Sequence, residues 1–172
     1  MTTASTTRPT TPALDDLVAA VRRVIDRRVD WARTAELVAE QLRAHLPGPD
    51  VLTPEQRRGN PDELAGHVLH VEPDGAFSIV GLVCLPGQTT RIHDHITWCV
   101  VGVLAGTEHE ELFDASLERI GVRDNGVGEV DGFAPPGDIH RIRNETRETA
   151  ISLHIYGTDL TRVGSSVRRN YN

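Results

Sequence analysis

Two regimes of hydrophobic patterning divide the chain. From Pro12 to about Leu46, apolar residues return at helical spacing. Leu14, Leu17, Val18, Val21, Val24 and Ile25 form one stripe, and Ala35, Leu37, Val38 and Leu42 form a second. Positions three and four apart share a helix face, so both runs read as amphipathic helices that pack as a pair. Asp30 and Thr34 are both candidates to cap the second helix, and Pro47-Gly48-Pro49 stops it. From about Leu64 the period shortens. The runs HVLHVE, AFSIVGLVCL, WCVVGVLAG, SLERIGV, GEVDGFAPPGD, IHRIRN and TAISLHIYG are rich in Val, Ile and Leu and are separated by Gly, Pro, Asp and Asn. Many short strands with turn signals between them predict a mainly β protein, an antiparallel sandwich or barrel, with the helical pair on its outside. Asp74-Gly75 and Asn125-Gly126 are the hairpin turns this pattern predicts.

Length and composition narrow the picture. A chain of 172 residues is enough for one domain with a sizeable core. Residues 1–11 read as a Thr-rich disordered leader, and 12–172 as a single domain with helices over about 12–46 and a barrel over about 64–172. The net charge of −7 lacks the basic stripe that nucleic acid requires. No apolar run approaches the roughly 18–20 residues of a membrane helix, and the N-terminus lacks the pattern of a secretory signal. A cytoplasmic location is therefore expected, where Cys84 and Cys99 stay unpaired. All 18 basic residues are Arg, which we read as a compositional bias of the genome.

The first chemical signal is His93-Asp94-His95. Strand residues two apart point to one face, so both imidazoles can enter the barrel while Asp94 points away and is not a ligand. Two imidazoles on one strand make half a site for a divalent transition metal. The second signal is Pro135-Pro136-Gly137-Asp138-Ile139-His140, running on to Asn144. Its turn aims a new strand on which His140 can supply a third imidazole.

Together these stretches resemble the two motifs of the cupin superfamily, the first from Gly87 through His93 and His95 to Gly106, the second from Pro135 through His140 to Asn144. The superfamily's usual Glu after the second His is absent; Ile96-Thr97-Trp98-Cys99 stands there. The resemblance thus narrows to three-histidine cupins, and among them to the thiol dioxygenases, the family of cysteine dioxygenase and 3-mercaptopropionate dioxygenase. It spans roughly residues 64–171. Ser152-Leu153-His154-Ile155-Tyr156 resembles that family's Ser-x-His-x-Tyr element, and alternation puts Ser152, His154 and Tyr156 on one face, where they can form a hydrogen-bonded row. The resemblance implies a cupin barrel, a mononuclear Fe(II) held by His93, His95 and His140, and catalytic roles for Tyr156, His154 and Ser152. It implies a small thiol and dioxygen as partners, with a sulfinic acid as product.

Some positions depart from either branch of that family. Cys99 lies where some members cross-link a cysteine to the tyrosine, which makes a Cys99–Tyr156 thioether an expectation. No Arg stands near His67, where the cysteine-oxidising members bind the substrate carboxylate. Arg168 and Arg169 near the C-terminus are the alternative, as in the mercaptopropionate-like members, with Arg91 and Arg162 behind them. 3-Mercaptopropionate and L-cysteine are therefore the leading substrates. Other cupin metalloenzymes and a non-enzymatic metal- or small-molecule-binding cupin are the alternatives.

Overall fold

A computed structural model describes residues 12–171; the leader expected over residues 1–11 lies outside them. The helical pair forms as α1 (Pro12–Ile25) and α2 (Trp31–Ala44). Asp30 rather than Thr34 caps α2: its carboxylate accepts from the Arg33 backbone N–H at 2.9 Å. Thr34 instead donates its hydroxyl to the Asp30 carbonyl at 2.8 Å. Two short 3₁₀ turns, Pro49–Val51 and Gln56–Arg58, lead into the strands.

Ten strands follow among the described residues: β1 (Ala65–Val71), β2 (Ser78–Cys84), β3 (Ile92–His95), β4 (Cys99–Ala105), β5 (Glu108–Phe113), β6 (Arg119–Asn125), β7 (Val130–Phe133), β8 (His140–Arg143), β9 (Ala150–Tyr156) and β10 (Val167–Tyr171), with a short α3 (Leu160–Val163) before the last. They make two antiparallel five-stranded sheets, ordered β1-β2-β9-β4-β7 and β10-β3-β8-β5-β6. This is the double-stranded β-helix, or cupin barrel.

Each strand of the first sheet has two different faces. On β9, Ile151, Leu153 and Ile155 belong to the main hydrophobic cluster together with Leu17, Val21, Val38 and Leu42 of the helices. On β2 and β4, Ile79, Val83, Val100 and Leu104 join the same cluster. The helices therefore cover the outer face of this sheet, and the alternate residues (Ser152, His154 and Tyr156 on β9) are turned into the barrel. The apposition is close at Gly132 of β7: a Cβ there would lie 2.7 Å from the Ala35 carbonyl oxygen of α2.

The structure refines three details of the pattern. Asp74-Gly75 turns the β1–β2 hairpin as expected, with Gly75 at φ +76. Asn125 ends β6 and the turn that follows runs from Gly126 to Glu129, but it is not a hairpin, because β6 pairs with β5 and β7 pairs with β4 in the other sheet. The third detail concerns β5 and β10, which have no apolar run to announce them. β5 reads EHEELF, and its Glu108, Glu110 and Glu111 are nonetheless buried.

Leu42 is fully buried between α2 and the sheet. Leu42→Ala should cost about 2–5 kcal/mol, seen as a lower urea midpoint with an unchanged denaturant slope.

Candidate metal centre

β3 and β8 are neighbours, and His93 is the residue opposite His140. The barrel register thus delivers His93, His95 and His140 to one place. Their rings lie 4.7–5.1 Å apart, centroid to centroid, and one ligating nitrogen of each lies within 4.8 Å of the others. All three are buried.

Each ring is fixed by an acceptor at Nδ1. His93 Nδ1 donates to the Arg91 carbonyl at 2.8 Å, His95 Nδ1 to Asp138 Oδ2 at 3.0 Å, and His140 Nδ1 to Glu110 Oε1 at 2.7 Å. With the ring proton held at Nδ1, the Nε2 lone pair is left to face the centre. This is the arrangement that orients metal-binding imidazoles. Burial, then the neighbouring His140, pushes His93 down to about 4, and burial lowers His95 as well. Both rings are therefore neutral near pH 7 and able to ligate. Three neutral nitrogens without a carboxylate fit a divalent transition metal such as iron, manganese or zinc.

The supporting carboxylates are themselves held ionised. Burial works to raise Glu110, but the hydrogen bond from His140 and the nearby Arg123 guanidinium outweigh it and leave the carboxyl below its usual range. Arg123 donates to Glu110 Oε2 at 2.8 Å and also pairs with Asp131 at 2.7 Å, across the gap between β6 and β7. Burial likewise opposes ionisation of Asp138, and the hydrogen bond from His95 outweighs it. Asp138 Oδ2 also accepts the His95 backbone N–H at 3.0 Å. Sequence reasoning passed over both residues. Asp138 lay inside a motif read only for its histidine, and Glu110 lay in a strand whose charges hid it.

Beside the histidines runs a polar row on β9. Ser152 Oγ lies 2.9 Å from His154 Nε2, and His154 Nδ1 lies 3.0 Å from the Tyr156 hydroxyl. The row continues beyond the three residues read from the sequence, because Ser152 donates to Glu108 Oε1 at 2.7 Å. Burial, and then the other histidines, pushes His154 down to about 3, so it is neutral. Cys99 is the cross-strand partner of Tyr156 and its thiol is hydrogen-bonded to the phenol. Burial raises both the thiol and the phenol. Cys84 is a free, buried thiol too.

A cavity of about 200 Å³ lies over the three histidines, walled by Leu64, Leu82, Phe133 and Val167, with His154 and Tyr156 on its side. Arg91, Thr90, Ser166 and Asn170 also line it. Arg168 and Arg169 do not. Asp94 is buried outside the barrel, and Arg168 is engaged by it, with Nε 3.1 Å from Oδ2 and a second, shorter contact through Nη2. Tyr171 donates to the same oxygen at 3.0 Å. Arg169 lies over the Tyr171 ring at 5.5 Å, and Arg162 sits exposed on α3. The physical reason is the β-bulge between Val167 and Arg169, which breaks the alternation so that Val167 and Asn170 face the cavity and both arginines do not, together with the need to neutralise a buried Asp94.

The fold and the site together define a cupin barrel with a three-histidine candidate metal centre. No family model matches the sequence. Among solved structures, the chain is similar to TT1209 from Thermus thermophilus, with 22% identity, a TM-score of 0.50 and coverage of 60% of this chain and 91% of that one. It is also similar to an uncharacterized conserved protein with a double-stranded β-helix domain from Klebsiella pneumoniae subsp. pneumoniae, with 19% identity, a TM-score of 0.51 and coverage of 61% and 85%. These likenesses support the fold. No helix among the described residues is long and apolar enough to cross a membrane.

Two outcomes test this geometry. Glu110→Gln removes the charge that holds His140 and should weaken metal binding roughly 10–100-fold, measured by competitive titration with a zinc chelator. For the metal-free protein, the unfolded chain takes up protons near the ordinary histidine value of 6.5, while the fold keeps His93 neutral to about 4 and His154 to about 3. The unfolded state therefore binds more protons in that window, and stability falls as pH falls through it. Urea midpoints should drop steadily below about pH 6.5; a flat profile would show that these rings are not held neutral.

Proposed function

We propose that this protein is a mononuclear non-haem iron thiol dioxygenase that converts a small carboxylate-bearing thiol and dioxygen into the corresponding sulfinic acid. The equation balances as one thiol plus one dioxygen, with both oxygen atoms ending on sulfur and the thiol proton retained on the product. The observation that carries the reading is the Tyr156 hydroxyl, held by the Ser152–His154 row beside three histidines that have no carboxylate among them. An isomerase or decarboxylase has no evident use for that row.

Ferrous iron at His93, His95 and His140 would supply the redox chemistry and favour the thiolate over the thiol. The chain supplies the rest. Asp138, Glu110 and the Arg91 carbonyl keep the three imidazoles in one tautomer. The apolar walls exclude water around the sulfur. Tyr156 presents its hydroxyl to the bound group as a hydrogen-bonding partner. Arg91, which lines the cavity, takes the carboxylate in place of Arg168 and Arg169. Cys99, the cross-strand partner of Tyr156, forms the thioether expected from the resemblance, the two electrons and two protons removed passing to dioxygen to give hydrogen peroxide; a cross-linked Cys99–Tyr156 peptide in a proteolytic digest is its signature. The partners of this reading are the thiol and dioxygen alone, in a cytoplasmic setting.

The test is oxygen uptake by anaerobically iron-loaded protein against 3-mercaptopropionate, L-cysteine, mercaptosuccinate and ergothioneine, with product mass. A gain of two oxygen atoms on one thiol is expected; bound iron with no uptake for any thiol would sink the proposal. Arg91→Ala should then raise KM for the carboxylate-bearing thiol about 10–100-fold and leave an uncharged thiol unaffected.

A further inference from the structure

The polar row ends at a residue that the proposed chemistry does not use. Glu108 is 1% exposed and Ser152 is fully buried. The row runs Glu108–Ser152–His154–Tyr156 at 2.7, 2.9 and 3.0 Å. It also joins two cavities. Glu108 and His154 line a chamber of about 360 Å³, while His154 and Tyr156 line the smaller one over the histidines.

Donor counting makes the direction of this row all-or-none. A serine or tyrosine hydroxyl has one proton to give, and a neutral imidazole has one N–H. When Glu108 is a carboxylate it only accepts, so Ser152 donates to it. Ser152 must then accept from His154 Nε2–H, leaving Nδ1 to accept from Tyr156. The Tyr156 proton points at His154, and its oxygen turns only lone pairs to the cavity and to its neighbours Cys99 and Ser166. When Glu108 holds a proton on Oε1, the oxygen that faces Ser152, every bond reverses. Glu108 donates to Ser152, Ser152 donates to Nε2, Nδ1–H donates to the Tyr156 oxygen, and the phenolic proton is released from His154 to turn to the cavity, where Ser166 and Cys99 are its other neighbours.

We propose that Glu108 is a positioning residue whose protonation sets the direction of the row, and so decides whether Tyr156 offers a donor or an acceptor to whatever is bound over the three histidines. The surroundings leave the carboxyl without a bonded cation among the described residues. Glu110 on its own strand, His140 on β8, Cys84 on β2, and His154 and Tyr156 on β9 are the titratable groups around it. Across the larger chamber, Arg123 pairs with Glu110 and Asp131, Arg43 donates to the Val130 carbonyl at 2.9 Å, and Glu129 adds negative charge. Burial accordingly raises the Glu108 carboxyl, with the Ser152 hydrogen bond opposing. The chamber gives its proton a route out.

The consequence for turnover rests on the thiol dioxygenase reading; the direction of the row does not. The test is long-range ¹⁵N NMR of the imidazoles in the zinc-loaded full chain, with His154→Gln used to assign the His154 signals. His154 should remain neutral while its proton moves from Nε2 to Nδ1 as pH is lowered and Glu108 takes up its proton. Glu108→Gln should abolish the pH dependence, and so should Ser152→Ala, which cuts the row but leaves the carboxyl in place. One tautomer throughout in the wild-type chain, or an unchanged switch in both variants, would overturn the proposal. In the iron-loaded protein, the same transition should appear as a limb of the rate–pH profile that Glu108→Gln removes. A tautomer switch in a protein with no thiol-dependent oxygen uptake would sink the dioxygenase reading and leave the role of Glu108 standing.

Discussion

Keeping three neutral imidazoles convergent inside a barrel is the constraint from which the rest of this structure follows. A neutral ring presents one lone pair only if its proton is claimed elsewhere, so each histidine needs an acceptor on its far side. Two of the three acceptors are carboxylates, Asp138 and Glu110, and a buried carboxylate is destabilising unless paired. That requirement propagates outward. Glu110 draws in Arg123 and Asn125 from β6, and Asp138 is tied to the His95 backbone. Metal-site geometry and barrel closure thus share the same ion pairs, since Arg123 also reaches Asp131 on the opposite sheet.

Such a polar interior is tolerated because the apolar core lies elsewhere. The helices and the outer face of the first sheet bury the leucines, isoleucines and valines, which leaves the inward face of β9 free to carry Ser152, His154 and Tyr156. In many small barrels the interior is the core; here it is a chemical chamber braced from outside. The same division explains why the buried glutamates of β5 persist: each has a hydrogen-bond or ionic partner, Ser152 for Glu108, His140 for Glu110 and Arg141 for Glu111.

The three histidines, the row and Tyr156 were legible in the sequence because their spacing is local. His93 and His95 are two apart, as are Ser152, His154 and Tyr156, and alternation alone puts each set on one face. The convergence of His140 on that pair was an inference from two motifs, and strand register supplies the physical reason for it. The arginines were not legible. Whether Arg91, Arg168 or Arg169 meets the cavity depends on β10 pairing with β3 and on Asp94 claiming Arg168, and neither fact has a local signature.

By itself, then, the sequence determined the element types, the two periodicities that separate helices from barrel, and the residues able to ligate a metal, because each depends on neighbours within a few positions. Tertiary structure alone decided which acceptors hold the histidines, that Glu108 terminates the row, that β5 is a strand despite its charges, and which arginine faces the chamber. Apart from the Arg91 carbonyl on His93, the hydrogen bonds behind those outcomes join residues 30 to 77 positions apart, and only the closing of the barrel brings them within reach of one another.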